Sequence, residues 1–273
     1  MIEEYTKESL IRRLDEIKDM GWILETEKRE KNQGGPGNTL EDLLGIEENN
    51  FPLPDIGEWE LKTHKVKSTA LLTLAHHEPE PRDKKVVPNY LLPNFGWPHK
   101  QAGKKYPETE KSFRQTINSQ KYSDRGFKIN VDYTQDKVKM DFDSMEINDS
   151  SQMEYKVMLE DRFEKPIEQI KIDPEYDPYW DFEDLNISME KKLKNTFLVE
   201  YMERKTEKGK EVKYVRVLML EDFQFDNYLK LLNDKNSAFV DFDARTGHNH
   251  GTKFRIRKNL VPLLYKKHEV VVE

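Results

Sequence analysis

Apolar residues recur at intervals of three or four in several stretches of the chain, and this spacing predicts amphipathic helices. The helical stretches are residues 10–17, 39–44, 181–195 and 225–232. Elsewhere apolar and polar residues alternate strictly, which predicts strands because successive side chains of a strand point to opposite faces. The predicted strands are residues 57–63, 127–132, 137–142, 197–203, 212–219, 238–242, 253–257 and 268–272.

Two pairs of these strands are separated by polar links and predict β-hairpins. One pair is 127–132 with 137–142, and the other is 197–203 with 212–219 across the turn KTEKGK. Helices and hairpins in mixed order predict an α+β (mixed α/β) fold rather than a doubly wound parallel sheet. Residues 78–111 are rich in proline and glycine before any clear periodicity, so we expect a long functional loop or arm there.

The composition narrows the class of protein. A chain of 273 residues can bury a substantial core, and no repeat or linker divides it, so we expect a single domain over residues 1–273. Charged residues make up 36% of the sequence, yet four Trp, twelve Tyr and thirteen Phe argue against global disorder. The absence of cysteine excludes disulfides and thiolate metal sites. We find no signal sequence and no apolar run near the roughly 18 residues of a membrane span, so we expect a soluble, cytoplasmic protein.

Charge is distributed unevenly along the chain. The net charge of -7 argues against DNA binding, because affinity for the phosphate backbone needs Lys and Arg. However, residues 94–128 carry eight basic and three acidic side chains, and residues 244–267 carry seven basic and none acidic. Residues 141–190 carry sixteen acidic and four basic side chains. This distribution predicts a positive cleft and a negative back, with ordinary solvated surface charge as the alternative.

The sequence DIGEWELK at residues 55–62 places two carboxylates and a lysine at the spacing that a metal-dependent phosphodiester hydrolase needs. A strand here would bury Trp59 and Leu61 on one face. Glu60 and Lys62 would emerge on the other face, roughly 6.5 to 7 Å apart, and Asp55 would converge with Glu60 from the preceding turn. Carboxylate oxygens suit Mg²⁺, and a lysine beside them can hold the attacking water.

Glu41 is a candidate fourth member of this site. It lies just inside a predicted helix start, where Thr39 is the expected N-cap. The alternative for the whole group is an exposed strand face with ordinary surface charges, because so charged a chain produces such a spacing by chance. The spacing alone leaves both interpretations open.

Longer strings around these residues indicate a family. They are GNTLEDLLG, PDIGEWELKTH and STALLTL, followed in order by SFRQTI, FKINVDYTQDKVKMDF, YWDFEDL, MEKKLKN, DARTG and HNHGTKFRI. In this order, over nearly the whole chain, the sequence resembles the MvaI/BcnI family of type II restriction endonucleases. That family belongs to the PD-(D/E)xK nuclease superfamily and is related to the mismatch-repair nicking enzyme MutH. The resemblance implies a restriction-endonuclease-like core, with a mixed β-sheet flanked by helices and two lobes around a DNA cleft.

The resemblance also implies roles for individual residues. The implied catalytic residues are Glu41, Asp55, Glu60 and Lys62, of which Asp55 and Glu60 bind the metal. The implied base-reading residues are Asp243, Arg245, His248, His250 and Arg255. The active-site segment 38–67 would belong to a catalytic lobe, and the base-reading loop 243–257 to a recognition lobe. One departure is that the stretch between DARTG and HNHG lacks an insertion seen in the family.

By the same resemblance, the protein is a monomer that binds double-stranded DNA and uses Mg²⁺ to nick the two strands in turn. The implied site is CCWGG or CCSGG, with CCWGG favoured by the string HNHGT, and the product carries a 5′-phosphate. A DNA methyltransferase acting on the same site is an expected partner. A MutH-like nicking repair enzyme and a non-catalytic DNA-binding protein stay open as alternatives. The spacing of His248 and His250 is also compatible with Zn²⁺.

Overall fold

The computed structural model describes residues 5–25, 35–46, 54–234 and 236–273. Contacts between Cα atoms divide the chain into two compact units. The first unit contains Met1–Leu72, Ser188–Asn227 and Arg257–Glu273, and the second contains Thr73–Ile187 and Tyr228–Ile256. In the described ranges, no helix is long and apolar enough to cross a membrane.

Helices and strands alternate irregularly along the described residues. The α-helices are α1 (Lys7–Asp19), α2 (Gly35–Leu43), α3 (Leu92–Phe95), α4 (Asp149–Phe163), α5 (Phe182–Leu193) and α6 (Phe225–Leu232). The strands are β1 (Ile23–Leu24), β2 (Trp59–Lys65), β3 (Leu71–His76), β4 (Trp97–Pro98), β5 (Lys111–Ile117), β6 (Arg125–Asp132), β7 (Lys137–Ile147), β8 (Tyr179–Asp181), β9 (Asn195–Thr206), β10 (Gly209–Phe223), β11 (Ala238–Arg245), β12 (His248–Arg257) and β13 (Tyr265–Val272). Short 3₁₀-helices cover Arg82–Lys84, Ile167–Gln169, Pro174–Tyr176 and Lys258–Leu264, and Val87–Leu91 is π-helical. This order confirms the predicted α+β class.

The first unit contains a mixed sheet with the strand order β1-β10-β9-β2, in which β13 also pairs with β10. Strand β10 is antiparallel to β1, β9 and β13, whereas β2 lies parallel to β9. Parallel neighbours need a long connection, and the chain between β2 and β9 contains Thr73–Ile187 of the second unit. The register places Glu60 opposite Thr196 and Lys62 opposite Leu198.

Helix α1 has the cap and the buried face that its sequence predicts. The Thr6 side chain accepts a hydrogen bond from the Ser9 N–H, and the Ser9 side chain accepts one from the Thr6 N–H. Leu10, Leu14 and Ile17 are buried in a core cluster that includes side chains of β2, β9 and β10. The predicted first amphipathic helix is therefore confirmed.

The described part of helix α2 begins at Gly35, so the prediction of Thr39 as N-cap was wrong. Thr39 is buried within the helix, and its hydroxyl donates a 2.8 Å hydrogen bond to the Gly35 carbonyl oxygen one turn earlier. A threonine inside a helix can satisfy its hydroxyl in this way.

The second unit contains a sheet of order β3-β12-β11-β5-β4 and a smaller sheet of order β6-β7-β8. The predicted hairpin of β6 and β7 is confirmed, with Phe127 opposite Phe142 and Asp132 opposite Lys137. In the first unit, β9 and β10 also form the predicted hairpin. Their strands extend to Thr206 and from Gly209, so the turn is two residues long and shorter than the predicted KTEKGK.

Aromatic side chains dominate the core of the second unit. Phe95, Phe113 and Phe127 are fully buried, and Phe127 meets the other two rings at near right angles with centroids 5.9 and 5.4 Å away. Phe95 belongs to α3, inside the stretch 78–111 that was predicted as a long loop. That prediction was wrong for residues 87–95, because Pro88 and Pro93 lie in short helical turns whose apolar side chains are buried.

Helix α4 was not predicted from the sequence. Of its fifteen residues, Tyr155 and Leu159 are the buried ones. Two buried positions are too few to produce the apolar stripe by which amphipathic helices are found. Helix α4, in the acidic segment 141–190, therefore could not be predicted from the spacing of apolar residues.

Replacing Leu14 by alanine should lower the free energy of unfolding by about 2 to 5 kcal/mol, because a buried leucine leaves a cavity where α1 meets its core cluster. Arg12→Ala, at an exposed position of the same helix, is the matched control and should change stability by no more than about 0.5 kcal/mol. Urea unfolding followed by circular dichroism measures both. Equal effects of the two changes would contradict the packing of α1.

Candidate active site and recognition face

A two-residue turn precedes strand β2. The Ile56 N–H donates to the Trp59 carbonyl oxygen at 2.9 Å, and the Trp59 N–H donates back to the Ile56 carbonyl oxygen at 2.7 Å. Gly57, the first residue of the turn, has a φ of +54°, a conformation that favours glycine. The turn reverses the chain and so brings together the residues that flank it, Asp55 and Glu60.

Asp55 is fixed by the strand that follows it. Its Oδ2 accepts a 2.8 Å hydrogen bond from the Leu61 N–H. Leu61 directly follows Glu60, and the Asp55 charge acts on the Glu60 carboxylate. The structure therefore places these two predicted site residues side by side.

Glu60 is buried, with 1% of its surface exposed, whereas the alternative interpretation of this group expected an exposed strand face with ordinary surface charges. That expectation was wrong because both faces of β2 are covered. On one face the Trp59 ring packs 4.4 Å from the Phe197 ring, and on the other Lys192 of α5 reaches Glu60. Strands with a parallel neighbour are commonly covered on both faces, and alternation alone does not reveal this.

The two oxygens of Glu60 differ in their surroundings. Oε1 contacts Lys62 Nζ and lies 3.4 Å from Lys192 Nζ, whereas Oε2 is buried without a hydrogen-bond partner among the described residues. Burial raises the pKa of Glu60 and Asp55 adds to the rise, while Lys62 and Lys192 oppose it. Because an unsatisfied buried carboxylate oxygen is unfavourable, the arrangement is suited to accepting a further cation.

Asp55 and Glu60 offer the hard oxygen ligands that Mg²⁺ prefers. This ion keeps several waters and uses one or two carboxylates with a substrate phosphate, so two carboxylates are sufficient for it. In the described ranges, no group of three or more His, Cys, Asp and Glu side chains is arranged to hold a metal. A closed zinc site at His248 and His250 therefore lacks its further ligands in this part of the chain.

Glu41 lies half-buried on helix α2. Its charge acts on Tyr214, whose pKa is raised mainly by burial and further by Glu41 and other nearby groups. The Tyr214 hydroxyl donates a 2.6 Å hydrogen bond to the Pro36 carbonyl oxygen and so joins β10 to α2. The structure therefore places Glu41 near β10, and its role in the active site stays a prediction.

The predicted base-reading residues share one face of the larger sheet in the second unit. Along β5, β11 and β12, buried apolar residues alternate with polar residues that point to the opposite face, here called the recognition face. The recognition face carries Ser112, Arg114, Thr116, Asp241, Asp243, Arg245, His248, His250, Lys253 and Arg255. All five predicted residues belong to this set.

Acidic and basic side chains pair across the recognition face. Asp243 Oδ1 contacts Arg114 Nε, and Asp243 Oδ2 lies 2.9 Å from Lys253 Nζ. Burial alone would raise the pKa of Asp243, but these two cations lower it to about 2. Asp241 Oδ2 similarly lies 3.1 Å from Arg255 Nη1. The two aspartates are therefore partners that orient cations on this face.

Arg245 is oriented by a carboxylate and a ring. Its Nη1 lies 3.0 Å from Oε1 of the buried Glu110, and its guanidinium carbon lies 4.7 Å from the centroid of the Tyr106 ring. An ion pair combined with a cation–π contact restricts the guanidinium to one orientation.

His248 and His250 lie on strand β12, so the expectation that a loop bears them was wrong. Because Arg245 pairs with His248, the hairpin turn consists of residues 246 and 247 alone. Both histidines are exposed, and His248 Nε2 lies 3.3 Å from His250 Nδ1. Burial is the largest cause that lowers the pKa of His250, and His248 adds to it. In its neutral form, which a lowered pKa favours, His250 has one donor and one acceptor nitrogen.

A β-bulge determines which way these histidines point. The paired residues on either side of it are Phe242 with Thr252 and Ala244 with Asn249. One residue of β11 therefore lies opposite two of β12, His250 and Gly251, and Gly251 has a φ of +85°. In a regular strand His248 and His250 would share the face of Thr252, which is buried. The extra residue shifts the alternation and places both histidines on the recognition face.

Glu78 holds this bulge with both carboxylate oxygens. Its Oε1 accepts a 2.7 Å hydrogen bond from the Thr252 N–H, and its Oε2 accepts one of 3.2 Å from the Asn249 side-chain amide. Asn249 Oδ1 in turn accepts a 3.0 Å hydrogen bond from the Gly251 N–H. The carboxylate therefore satisfies polar groups that the bulge removes from regular strand pairing.

The sequence analysis missed several residues that contact the predicted ones. They are Glu78, Arg114, Lys192, Asp241 and Lys253. Glu78 lies in the link that follows β3, and each of the others lies on a different strand or helix from the residue that it contacts. A charged residue in an otherwise apolar alternation, as in DFDAR, was the available signal, but it does not identify a partner.

Comparisons with known proteins identify a family and a similar fold. The sequence model of the MvaI/BcnI restriction endonuclease family matches residues 11–265. Restriction endonuclease MvaI in complex with its cognate DNA substrate has a similar fold, with a TM-score of 0.74, 23% identity and coverage of 98% of this chain and 100% of that chain. Restriction endonuclease MvaI in the absence of DNA has a TM-score of 0.53, 25% identity and coverage of 96% of both chains. A search of curated proteins found no match.

Removing the Glu78 carboxylate should loosen the bulge. We expect Glu78→Ala to lower the free energy of unfolding by about 1 to 3 kcal/mol, because the Thr252 N–H loses its acceptor. Hydrogen exchange at the Thr252 amide should accelerate in the native state. The control Glu108→Ala, at an exposed position of the same unit, should leave both unchanged. Unaltered Thr252 exchange in Glu78→Ala would show that the bulge does not depend on this carboxylate.

Proposed function

The chain belongs to the MvaI/BcnI family of type II restriction endonucleases, and on this premise we propose that it cleaves both strands of DNA with Mg²⁺ as cofactor. The proposed site is CCWGG-like, with CCSGG as the alternative, and the proposed product carries a 5′-phosphate. The similar fold of MvaI bound to its cognate DNA supports a duplex substrate. Hydrolysis at one defined sequence requires a catalytic site and a base-reading surface.

The observation that carries the proposal is the buried Glu60 beside Asp55. One Glu60 oxygen is shared by two lysines, and the other lacks a hydrogen-bond partner in the described part of the chain. A carboxylate that served structure alone would be better stabilised with both oxygens satisfied. The unsatisfied oxygen and the neighbouring Asp55 therefore fit a magnesium ion, which Asp55 and Glu60 would hold.

The side chains around these carboxylates have complementary tasks in the proposed mechanism. Lys62 would hold the attacking water and offset negative charge on the phosphate in the transition state. Lys192, which also reaches Glu60 Oε1, would keep that carboxylate paired while Lys62 engages the water. When bound, Mg²⁺ would supply Lewis-acid stabilisation of the phosphate oxygens. Glu41 is proposed to support the metal or its hydration.

The covalent change is a single displacement at phosphorus. The water oxygen forms a bond to phosphorus and loses a proton to solvent, and the bond from phosphorus to the 3′ oxygen breaks. The 3′ oxygen leaves as a hydroxyl after taking up a proton. The phosphate therefore stays bonded to the 5′ oxygen of the downstream nucleotide, which is the basis of the proposed 5′-phosphate product.

The recognition face supplies donors and acceptors for base edges. An arginine can bond to guanine N7 and O6 together, and a neutral imidazole can bond to either. Arg245 and Arg255 are each oriented by a carboxylate, which reduces the freedom lost on binding. We therefore assign base reading to Asp243, Arg245, His248, His250 and Arg255, with the aspartate acting by orienting its cations.

The remaining parts of the proposal rest on the family. They are a monomeric, cytoplasmic enzyme, one catalytic and one recognition lobe around the DNA, and a DNA methyltransferase that protects the same site. The basic segments 94–128 and 244–267 would face the phosphate backbone in this arrangement, because their excess of Lys and Arg attracts it.

Lys62→Ala should reduce Mg²⁺-dependent cleavage of a supercoiled plasmid a hundredfold or more. The loss of an electrostatic contact to the transition state is worth about 3 to 4 kcal/mol. Asp55→Ala should behave similarly, and both variants should still bind specific DNA in Ca²⁺. Lys194→Ala removes an exposed lysine of the same unit and should cleave normally. Wild-type rates in both active-site variants would exclude this site.

The plasmid assay also separates the alternatives. Nicked circles that never become linear would indicate a MutH-like nicking enzyme. Binding without any metal-dependent cleavage by the wild type would indicate a DNA-binding protein whose carboxylates are structural. Sequencing the ends of linear products identifies the site.

Arg255→Ala should reduce the preference for the cognate site over single-mismatch sites about tenfold or more, since a bidentate base contact contributes roughly 1 to 3 kcal/mol of discrimination. His248→Ala and His250→Ala should have smaller effects, because one imidazole bond is weaker than a guanidinium fork. The control Arg257→Ala should weaken cleavage of all sites alike. Unchanged discrimination in Arg255→Ala, or stoichiometric zinc in the purified protein, would contradict the assignment.

A further inference from the structure

A cationic cavity of about 500 Å³ lies in the second unit beside the recognition face. Its wall includes Trp97, His99, Lys100, Ser112, Arg114 and Arg125. Three of these residues are cations at neutral pH, and no Asp or Glu of the described residues lines the cavity. Ser112 and Arg114 point to the recognition face because they pair with Arg245 and Asp243. The volume is within the range of small-ligand sites.

Arg125 in this wall is oriented by rings. Its guanidinium carbon lies 3.9 Å from the centroid of the Trp97 ring and 5.5 Å from that of the Tyr155 ring. Its Nε is buried without a hydrogen-bond partner in the described part of the chain. Burial lowers the pKa of Arg125, against the opposing effect of Tyr155 and Asp124. The group is nevertheless charged at neutral pH, because the ordinary pKa of arginine is above about 12.

The other arginines beside the cavity and on the recognition face have carboxylate partners. Arg114 contacts Asp243, Arg245 lies 3.0 Å from Glu110, and Arg255 lies 3.1 Å from Asp241. Arg125 differs because aromatic rings perform the orienting task that a carboxylate performs elsewhere. Among the described residues no carboxylate pairs with Arg125, so its terminal Nη donors are available to an anion from outside the chain, and a partly buried positive charge favours one.

We propose that this cavity binds a phosphoryl group and that, in the complex with DNA, the group is a backbone phosphate next to the bases being read. The second half of this statement rests on the function proposed above. A guanidinium fork matches two phosphate oxygens, and Lys100 adds a point charge. Phosphate contacts of this kind fix the register of a protein on the duplex, and base contacts then specify the sequence.

His99 adds a ring N–H donor to the cavity wall. Its Nδ1 accepts a 3.0 Å hydrogen bond from the Gln101 N–H, so the neutral ring carries its hydrogen on Nε2. A phosphate presents acceptor oxygens in several directions. A cavity with arginine, lysine and histidine donors is therefore better suited to a phosphate than to a planar carboxylate ligand. One guanidinium fork is sufficient to bind a carboxylate.

The cavity is tested by the effect of inorganic phosphate on unfolding of the full chain. The midpoint of unfolding is measured in sodium phosphate and in sodium chloride of equal ionic strength. It is compared for the wild type, Arg125→Met and Lys128→Met. Lys128 is the matched control, because its ammonium also lies over a ring, 4.6 Å from Tyr122, in the same basic segment but outside the cavity. Phosphate stabilises proteins generally because it is excluded from their surface. This general stabilisation should be equal in all three proteins.

We expect phosphate to raise the midpoint of the wild type and Lys128→Met by more than that of Arg125→Met. Equal gains in all three proteins would overturn the proposed site. If Arg125→Met fails to fold, Arg125→Lys serves instead: it keeps the charge without the fork and should retain part of the phosphate gain. A full wild-type gain in Arg125→Lys together with a full gain in Lys100→Met would equally contradict a site built on these cations.

DNA binding in Ca²⁺ over a series of salt concentrations identifies the source of the phosphoryl group. If it is a backbone phosphate, Arg125→Met should lower the slope of log K against log salt by about one unit for cognate and non-cognate duplexes alike. A lost phosphate gain with an unchanged slope would assign the cavity to free phosphate and overturn the DNA part. A wild type that binds no DNA would contradict the proposed function, while the unfolding comparison would still test the cavity.

Discussion

A carboxylate that is buried in an edge strand is the constraint on which the candidate catalytic site depends. Glu60 is removed from water, so its charge has to be compensated by its neighbours, and Lys62 and Lys192 both reach one of its oxygens. The second oxygen is also buried and has no hydrogen-bond partner among the described residues. Asp55 cannot compensate this charge because it carries the same sign. A site that is unfavourable alone and favourable with a divalent cation follows from these few contacts, and in a restriction endonuclease family that cation is the proposed magnesium ion.

On the recognition face, charged side chains are stabilised by pairing with one another. Several charges are concentrated on one side of β5, β11 and β12, and most are paired across strands, so the face is ordered before any ligand arrives. The bulge at Gly251 adds the histidines to this face by shifting the alternation of β12. Backbone geometry and ion pairing therefore preorganise the donors and acceptors, and Arg125, which rings orient, keeps its donors for an external anion.

The division of the chain into two units explains why no linker is visible in the sequence. The boundaries fall within β3, α5, α6 and β12, where the local sequence continues to satisfy a strand or a helix. A boundary between units is visible in a sequence when it falls in a flexible, polar segment with few contacts. A boundary inside a strand or a helix has no such segment. The proposed active-site segment 38–67 belongs to the first unit, and most of the proposed base-reading segment 243–257 belongs to the second.

The sequence alone determined the elements whose periodicity is strong, including α1, α5, α6 and the hairpins β6–β7 and β9–β10, because one buried face imposes a regular spacing. It also determined the candidate residues at 55–62, which are close in the chain and joined by a tight turn. Tertiary structure decided the burial of Glu60, since covering the second face of a strand depends on α5, more than a hundred residues away. It likewise decided the partners Lys192, Arg114 and Glu78 and the outward direction of the histidines. These features arise from contacts between distant segments and from one extra residue in the pairing of β11 with β12. The local pattern of apolar and polar residues predicts neither.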